Sequence, residues 1–117
     1  MIVADTDDEA RRLFTSVQQR VIGMVRGARG LTQPPVDNID EHWSPAEKAH
    51  AERMLACSFV GSIDTVRRGL QDFVARTGAD ELMVTCGVYD HAAKLRSYEL
   101  LAKEIAPTLV AKEAAPV

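Results

Sequence analysis

Two short groups of residues in this chain have types and spacing suited to chemistry. The first is Gly61-Ser62, which stands at the predicted start of a helix. A Gly-Ser turn there can offer backbone N–H groups to an anion such as a cofactor phosphate. The second is Thr85-Cys86-Gly87, at the end of the apolar run Glu81–Val88. If that run is a strand of an α/β barrel, its C-terminal end faces the active site, and these three residues can line a substrate pocket. Each group also has a plainer reading. Ser62 can simply cap a helix behind a glycine that permits a tight turn. Cys86 can be a small buried hydrophobe.

The remaining reactive residues form no template. His42 stands near Asp37, Asp40 and Glu41, but the spacing matches neither zinc nor calcium sites, and a solvated acidic loop accounts for it. His50 and His91 fall early in helices with no partner to orient a general base. Cys57 and Cys86 make neither a disulfide framework nor a CxxC pair. Arg11-Arg12 and Arg67-Arg68 read as solvated helix faces, and Trp43 as a core or loop anchor. No metal site and no catalytic residue is identified.

These residues need elements to position them. Ile2-Val3-Ala4 reads as a first strand. Thr6 and Glu9 form a capping-box pattern ahead of a helix from about Asp7 to Arg26, with Ala10, Leu13, Phe14, Val17, Val21, Met24 and Val25 on one face. Gly27 and Gly30 are its stop signals. Residues 31–43 form an inserted acidic loop with Pro34-Pro35, closed by Trp43. Ser44-Pro45-Ala46-Glu47 opens a second helix that ends near Ala56. Cys57–Val60 reads as a buried strand, and Ser62 as the side-chain cap of a helix carrying Ile63, Val66, Leu70, Phe73 and Val74, closed by Gly78. Glu81–Val88 is the clearest strand, apolar enough to be covered on both faces. Asp90 caps a last helix with Leu95, Tyr98, Leu101, Ala102 and Ile105 inward. Pro107 ends it, and residues 110–117 read as a disordered tail.

The composition narrows the function. The 117 residues carry 14 Lys+Arg against 17 Asp+Glu, a formal charge of -3, which excludes a strongly basic nucleic-acid footprint. With 46% apolar residues the chain is not disordered throughout. It holds no apolar run long enough to span a membrane, and its acidic start has no secretory pattern. Unpaired cysteines fit a reduced, cytoplasmic setting. Strands alternating with helices imply right-handed parallel βαβ units in an α/β fold. Three short parallel strands with apolar outer edges make a poor free-standing sheet, and Met1 falls within the first of them. The chain reads as a piece of a larger α/β sheet or barrel.

One run carries a family resemblance. Met54-Leu55-Ala56-Cys57-Ser58-Phe59-Val60-Gly61-Ser62, then Thr65-Val66-Arg67-Arg68-Gly69-Leu70, then Thr77-Gly78-Ala79-Asp80-Glu81-Leu82-Met83-Val84-Thr85 resembles the C-terminal end of the luciferase-like flavin-dependent monooxygenases. Val3-Ala4-Asp5-Thr6-Asp7 with Glu9-Ala10-Arg11 is similar to an earlier segment of that family, and Pro34-Pro35 to Trp43-Ser44-Pro45 to its inserted loop. The family often has Pro where Ile63 sits. The resemblance implies that residues 1–109 are the last three strand–helix units of a TIM-type (β/α)8 barrel, incomplete as an isolated chain. It implies reduced FMN as cofactor and the oxygenation of a small organic substrate by dioxygen, with a flavin reductase as a possible partner. The main flavin-binding segments belong to earlier strands that have no counterpart here, so the chain alone is expected to be catalytically incompetent, and to oligomerise or aggregate through its open edges. The competing expectation is a non-catalytic α/β interaction module that pairs those edges with itself or a partner chain.

Overall fold

The computed structural model describes residues 1–28 and 30–113. The first long element follows from its cap. Thr6 is extended, and its hydroxyl accepts a hydrogen bond from the Glu9 N–H at 3.1 Å, while Asp7, Asp8 and Glu9 place negative charge on the positive end of helix α1 (Asp7–Val25). Gly27, in the left-handed region at φ 70°, turns the chain away after it. Helix α2 (Pro45–Met54) begins with a complete capping box, the Ser44 hydroxyl on the Glu47 N–H and the Glu47 carboxylate on the Ser44 N–H. Helix α3 (Ile63–Thr77) ends at Gly78 in the left-handed conformation. Helix α4 (His91–Leu100) is capped by the Asp90 side chain on the Ala93 N–H.

Between these helices lies a small parallel sheet, strands β1 (Ile2–Val3) and β2 (Val60–Gly61), in the register Ile2↔Val60 and Val3↔Gly61. The Ile2 N–H donates to the Phe59 carbonyl at 2.8 Å and the Ala4 N–H to the Gly61 carbonyl at 3.1 Å. Alternation along β1 then divides the core. Ile2 and Ala4 face Ala10 and Leu13 of α1, together with Cys86 and Val88. Val3 faces the other way, onto Val66 and Leu70 of α3 and onto Leu100 and Ile105. Phe59 and Phe73 meet edge to face, 5.6 Å between ring centres, beside that second layer.

Several sequence expectations are corrected here. Glu81–Val88 forms no strand. Cys86 and Val88 pack on the Ile2/Ala4 layer, the Thr85 carbonyl accepts from the Met1 nitrogen at 2.9 Å, and Met83 is 95% exposed. A run apolar on nearly every position suits a strand with a neighbour on each edge and a layer on each face. Here it contributes a few side chains to the core and makes no ladder. The second strand is likewise shorter than Cys57–Val60, and Cys57 is exposed.

The last helix departs in three ways. Leu95 is 56% exposed and Ala102 is exposed, because buried Ser97 sets the rotation of α4, and a residue two positions away on a helix points to the opposite side. Pro107 does not end the helix. A π-helical turn, Leu101–Ile105, widens the backbone just before it, and helix α5 (Ala106–Glu113) carries on. The widened turn spares the proline from the tight i−4 carbonyl contact that would otherwise break the helix. Of the expected tail, residues 110–113 are therefore helical, and 114–117 lie outside the described residues. Among the described residues no helix is long and apolar enough to cross a membrane.

Candidate functional site

The turns that follow the two paired strands lie side by side, and one side chain joins them. Asp7, the first residue of α1, sends its carboxylate Oδ1 across to the start of α3, where it accepts from the Ser62 N–H at 2.7 Å and from the Thr65 hydroxyl at 2.8 Å. The Ser62 and Thr65 hydroxyls are themselves 3.3 Å apart. These bonds hold the half-buried Asp7 carboxyl below its ordinary range, the Ser62 N–H first and the Thr65 hydroxyl next; the nearby Arg11 charge acts the same way. Gly61 makes the approach possible. A Cβ on it would stand 2.7 Å from Asp7 Oδ1 and 2.7 Å from Thr65 Cβ.

This geometry revises the expected role of Ser62. It occupies the N-cap position of α3, but its side chain accepts no capping hydrogen bond from the helix. One N–H of the helix start, that of Ser62, is satisfied from outside, by the Asp7 carboxylate. The turn also fails the fit to a flavin phosphate. The N–H that would bind the phosphate already donates to a carboxylate, and a second anion there would lie against that charge.

Thr85, Cys86 and Gly87 do lie on one cavity, of about 380 Å³, shared with Phe14, Arg20 and Cys57. The Gly87 carbonyl accepts from Arg20 Nη2 at 3.4 Å, and Cys86 is buried. They stand beside Met1, at the start of β1, whereas Gly61-Ser62 stands at the end of β2. The two groups singled out by sequence are thus at opposite ends of the sheet.

A cleft of about 770 Å³ opens between α1, the 31–43 segment and α2, with Phe14, Trp43, Leu55 and Val60 as its apolar walls and Arg11 and Arg12 among its charged lining. The segment is tied down rather than free. The Val36 N–H donates to the Thr15 hydroxyl at 2.9 Å, Arg12 pairs with Asp37 at 3.1 Å, and Gln19 Nε2 donates to the Pro34 carbonyl at 2.9 Å. A short 3-10 turn, Ile39–Glu41, precedes Trp43, whose Nε1 donates to Asp40 at 2.9 Å. Arg26 then clamps α1 to α2 through both oxygens of Glu47, at 2.6 and 2.8 Å, and this bidentate contact with the Ser44 N–H lowers the Glu47 pKa to about 2. Among the described residues no three His, Cys, Asp or Glu side chains gather as a metal site.

Asp7 and Thr65 are the site residues that sequence reading did not single out. Both lie within the quoted family-like runs, and Thr65 falls three positions after Ser62 on the same helix turn, but nothing local marks them as partners.

Relatives bear on all of this. The chain is 43% identical over 100 residues to a luciferase-like monooxygenase of Escherichia coli (strain K12), a match covering 86% of this chain and 30% of that protein. It is 42% identical over 102 residues to an uncharacterized protein, YvbT, of Bacillus subtilis (strain 168), covering 87% of this chain and 30% of that one. The solved structure of apo-MsnO8 superposes with a TM-score of 0.65 at 30% identity, over 88% of this chain and 32% of that one. No family model matches. The chain therefore spans about 30% of the length of the curated relatives it matches. Over that span, its sequence is similar to that of luciferase-like monooxygenases.

Proposed function

We propose that this chain is the C-terminal part of an FMN-dependent luciferase-like monooxygenase, comprising the last three strand–helix units of a (β/α)8 barrel. The observation that supports it most is the 43% identity to the E. coli protein across 86% of this chain. In the complete enzyme, reduced flavin supplies the electrons with which dioxygen oxygenates a small organic substrate, and a flavin reductase delivers the reduced cofactor. This chain's contribution is structural and positional. The Asp7 clamp fixes two adjacent strand-end turns, and Thr85, Cys86 and Gly87 line a cavity available to a substrate. The principal flavin contacts lie on segments outside this chain, which makes it catalytically incompetent alone.

A chimera tests this reading. The equivalent 100-residue stretch of the E. coli relative is replaced by this chain, and FMN binding and reduced-flavin-dependent oxygen uptake are measured. The chimera is expected to bind FMN and consume oxygen, while the isolated chain does neither. Micromolar FMN binding by the isolated chain, or a folded chimera that binds no flavin, overturns the proposal.

One observation bears on the second reading, a non-catalytic interaction module that pairs its open sheet edges with itself or a partner chain, because it leaves the free side of β2 as the edge to pair. The Ser97 hydroxyl donates to the Val3 carbonyl at 2.8 Å and accepts from the Val3 N–H at 3.2 Å, closing the outer side of β1 at that residue without another strand.

A further inference from the structure

We propose that Asp7 is a resident anion. Its carboxylate takes the seat at the start of α3 that a phosphate would otherwise fill, and so bars the Gly61-Ser62 turn from binding any phosphate-bearing ligand, flavin included. The seat stands apart from the monooxygenase reading. Every part of the seat belongs to the chain's own residues.

Three features converge. The Ser62 N–H and the Thr65 hydroxyl aim at one oxygen, at 2.7 and 2.8 Å, so a negative charge already sits at the start of the helix, where an anion would bind, and takes the Ser62 N–H. The carboxylate arrives from 55 positions earlier, on another helix, so its placement is set by the β1–β2 register and not by a local turn. Gly61 leaves the space into which that oxygen fits, and a methyl group there would collide with it. Asp7 therefore serves as a positioning residue. It joins the end of β1 to the end of β2 through charge-assisted hydrogen bonds, which are stronger than neutral ones. The other groups facing the carboxylate are the neutral Ser62 and Thr65 side chains, with Arg11 nearby on its own helix adding attraction.

The test follows the Ser62 and Thr65 amide resonances of the whole chain by nitrogen-15 NMR while inorganic phosphate is added to millimolar concentration. In the parent chain neither amide is expected to move. Asp7→Ala empties the seat, and phosphate should then shift both amides with an affinity at least about tenfold higher than in the parent. Asp7→Asn keeps an acceptor oxygen in place and should stay silent, which a merely structural loss in Asp7→Ala would not explain. Saturable phosphate binding at Ser62 in the parent chain overturns the proposal, as does a folded Asp7→Ala that remains unresponsive. Should Asp7→Ala not fold, acid titration of the parent chain decides. The Ser62 amide must follow the Asp7 carboxyl, with a midpoint below the ordinary 3.8, and an amide that ignores that titration sinks the idea.

Discussion

At Gly61 the missing side chain is what lets Asp7 reach the Ser62 N–H. The neighbours a Cβ would meet, at 2.7 Å, are a hydrogen-bonded carboxylate oxygen and the branched carbon of a threonine rooted in the first turn of α3. Neither can retreat without breaking the contact between the two turns. Gly61→Ala is therefore expected to destabilise the fold by about 1–3 kcal/mol, the usual cost of forcing a methyl group into filled space. Urea denaturation measures this, and a double-mutant cycle with Asp7→Ala shows its origin. The combined loss should be smaller than the sum of the two, because the alanine at 61 no longer meets the carboxylate. Full additivity would place the strain elsewhere. A Gly-Ser turn at a helix start is legible in the sequence. Its occupant is not, since a contact between Asp7 and Ser62 follows from strand register and leaves no spacing signal.

Elements that carry their own boundary chemistry were the legible ones. Thr6, Ser44, Gly78 and Asp90 each mark a helix end by a bond or a backbone angle reaching no more than four residues, and the helices begin and end where these residues direct. A strand has no such autonomy. Its ladder depends on what lies beside it, so the apolar run Glu81–Val88 specifies burial without specifying pairing, and only part of it reaches the core. Helix rotation is equally non-local. The apolar pattern of α4 points Leu95 inward, yet the buried Val3 N–H and C=O require a polar partner, and Ser97 meets both at 3.2 and 2.8 Å while fully buried. Ser97→Ala removes that partner and leaves two buried backbone groups unpaired. The expected loss is about 2 kcal/mol in chemical denaturation, with the Val3 amide exchanging faster with solvent. A neutral substitution would mean that β1 finds another partner there, such as water or a second chain.

At the scale of the whole molecule, the same edge decides what the chain does alone. The Cα radius of gyration is 15.4 Å. A domain of this length averages about 13 Å, so this fold is more extended than the average. The sheet has two strands of two residues each, and among the described residues Met83, Leu31, Leu95, Tyr89 and Met54 hold large apolar surfaces in solvent. Scattered exposed hydrophobes are ordinary, but here they accompany a β2 strand whose pairing is with β1 alone. Ser97 blunts one side of the sheet; no equivalent hydrogen bond from a side chain to the Val60 or Gly61 backbone accompanies it among the described residues. The purified chain is accordingly expected to associate as its concentration rises, with a weight-average mass by light scattering above 12.8 kDa, and to return toward that mass on dilution. Grafting into the E. coli relative should suppress this, because the added strands would cover the free side of β2. A chain that stays monomeric at high concentration, with cooperative unfolding, would instead mark the Ser97-capped sheet as self-sufficient and count against both the barrel segment and a module that pairs its edges.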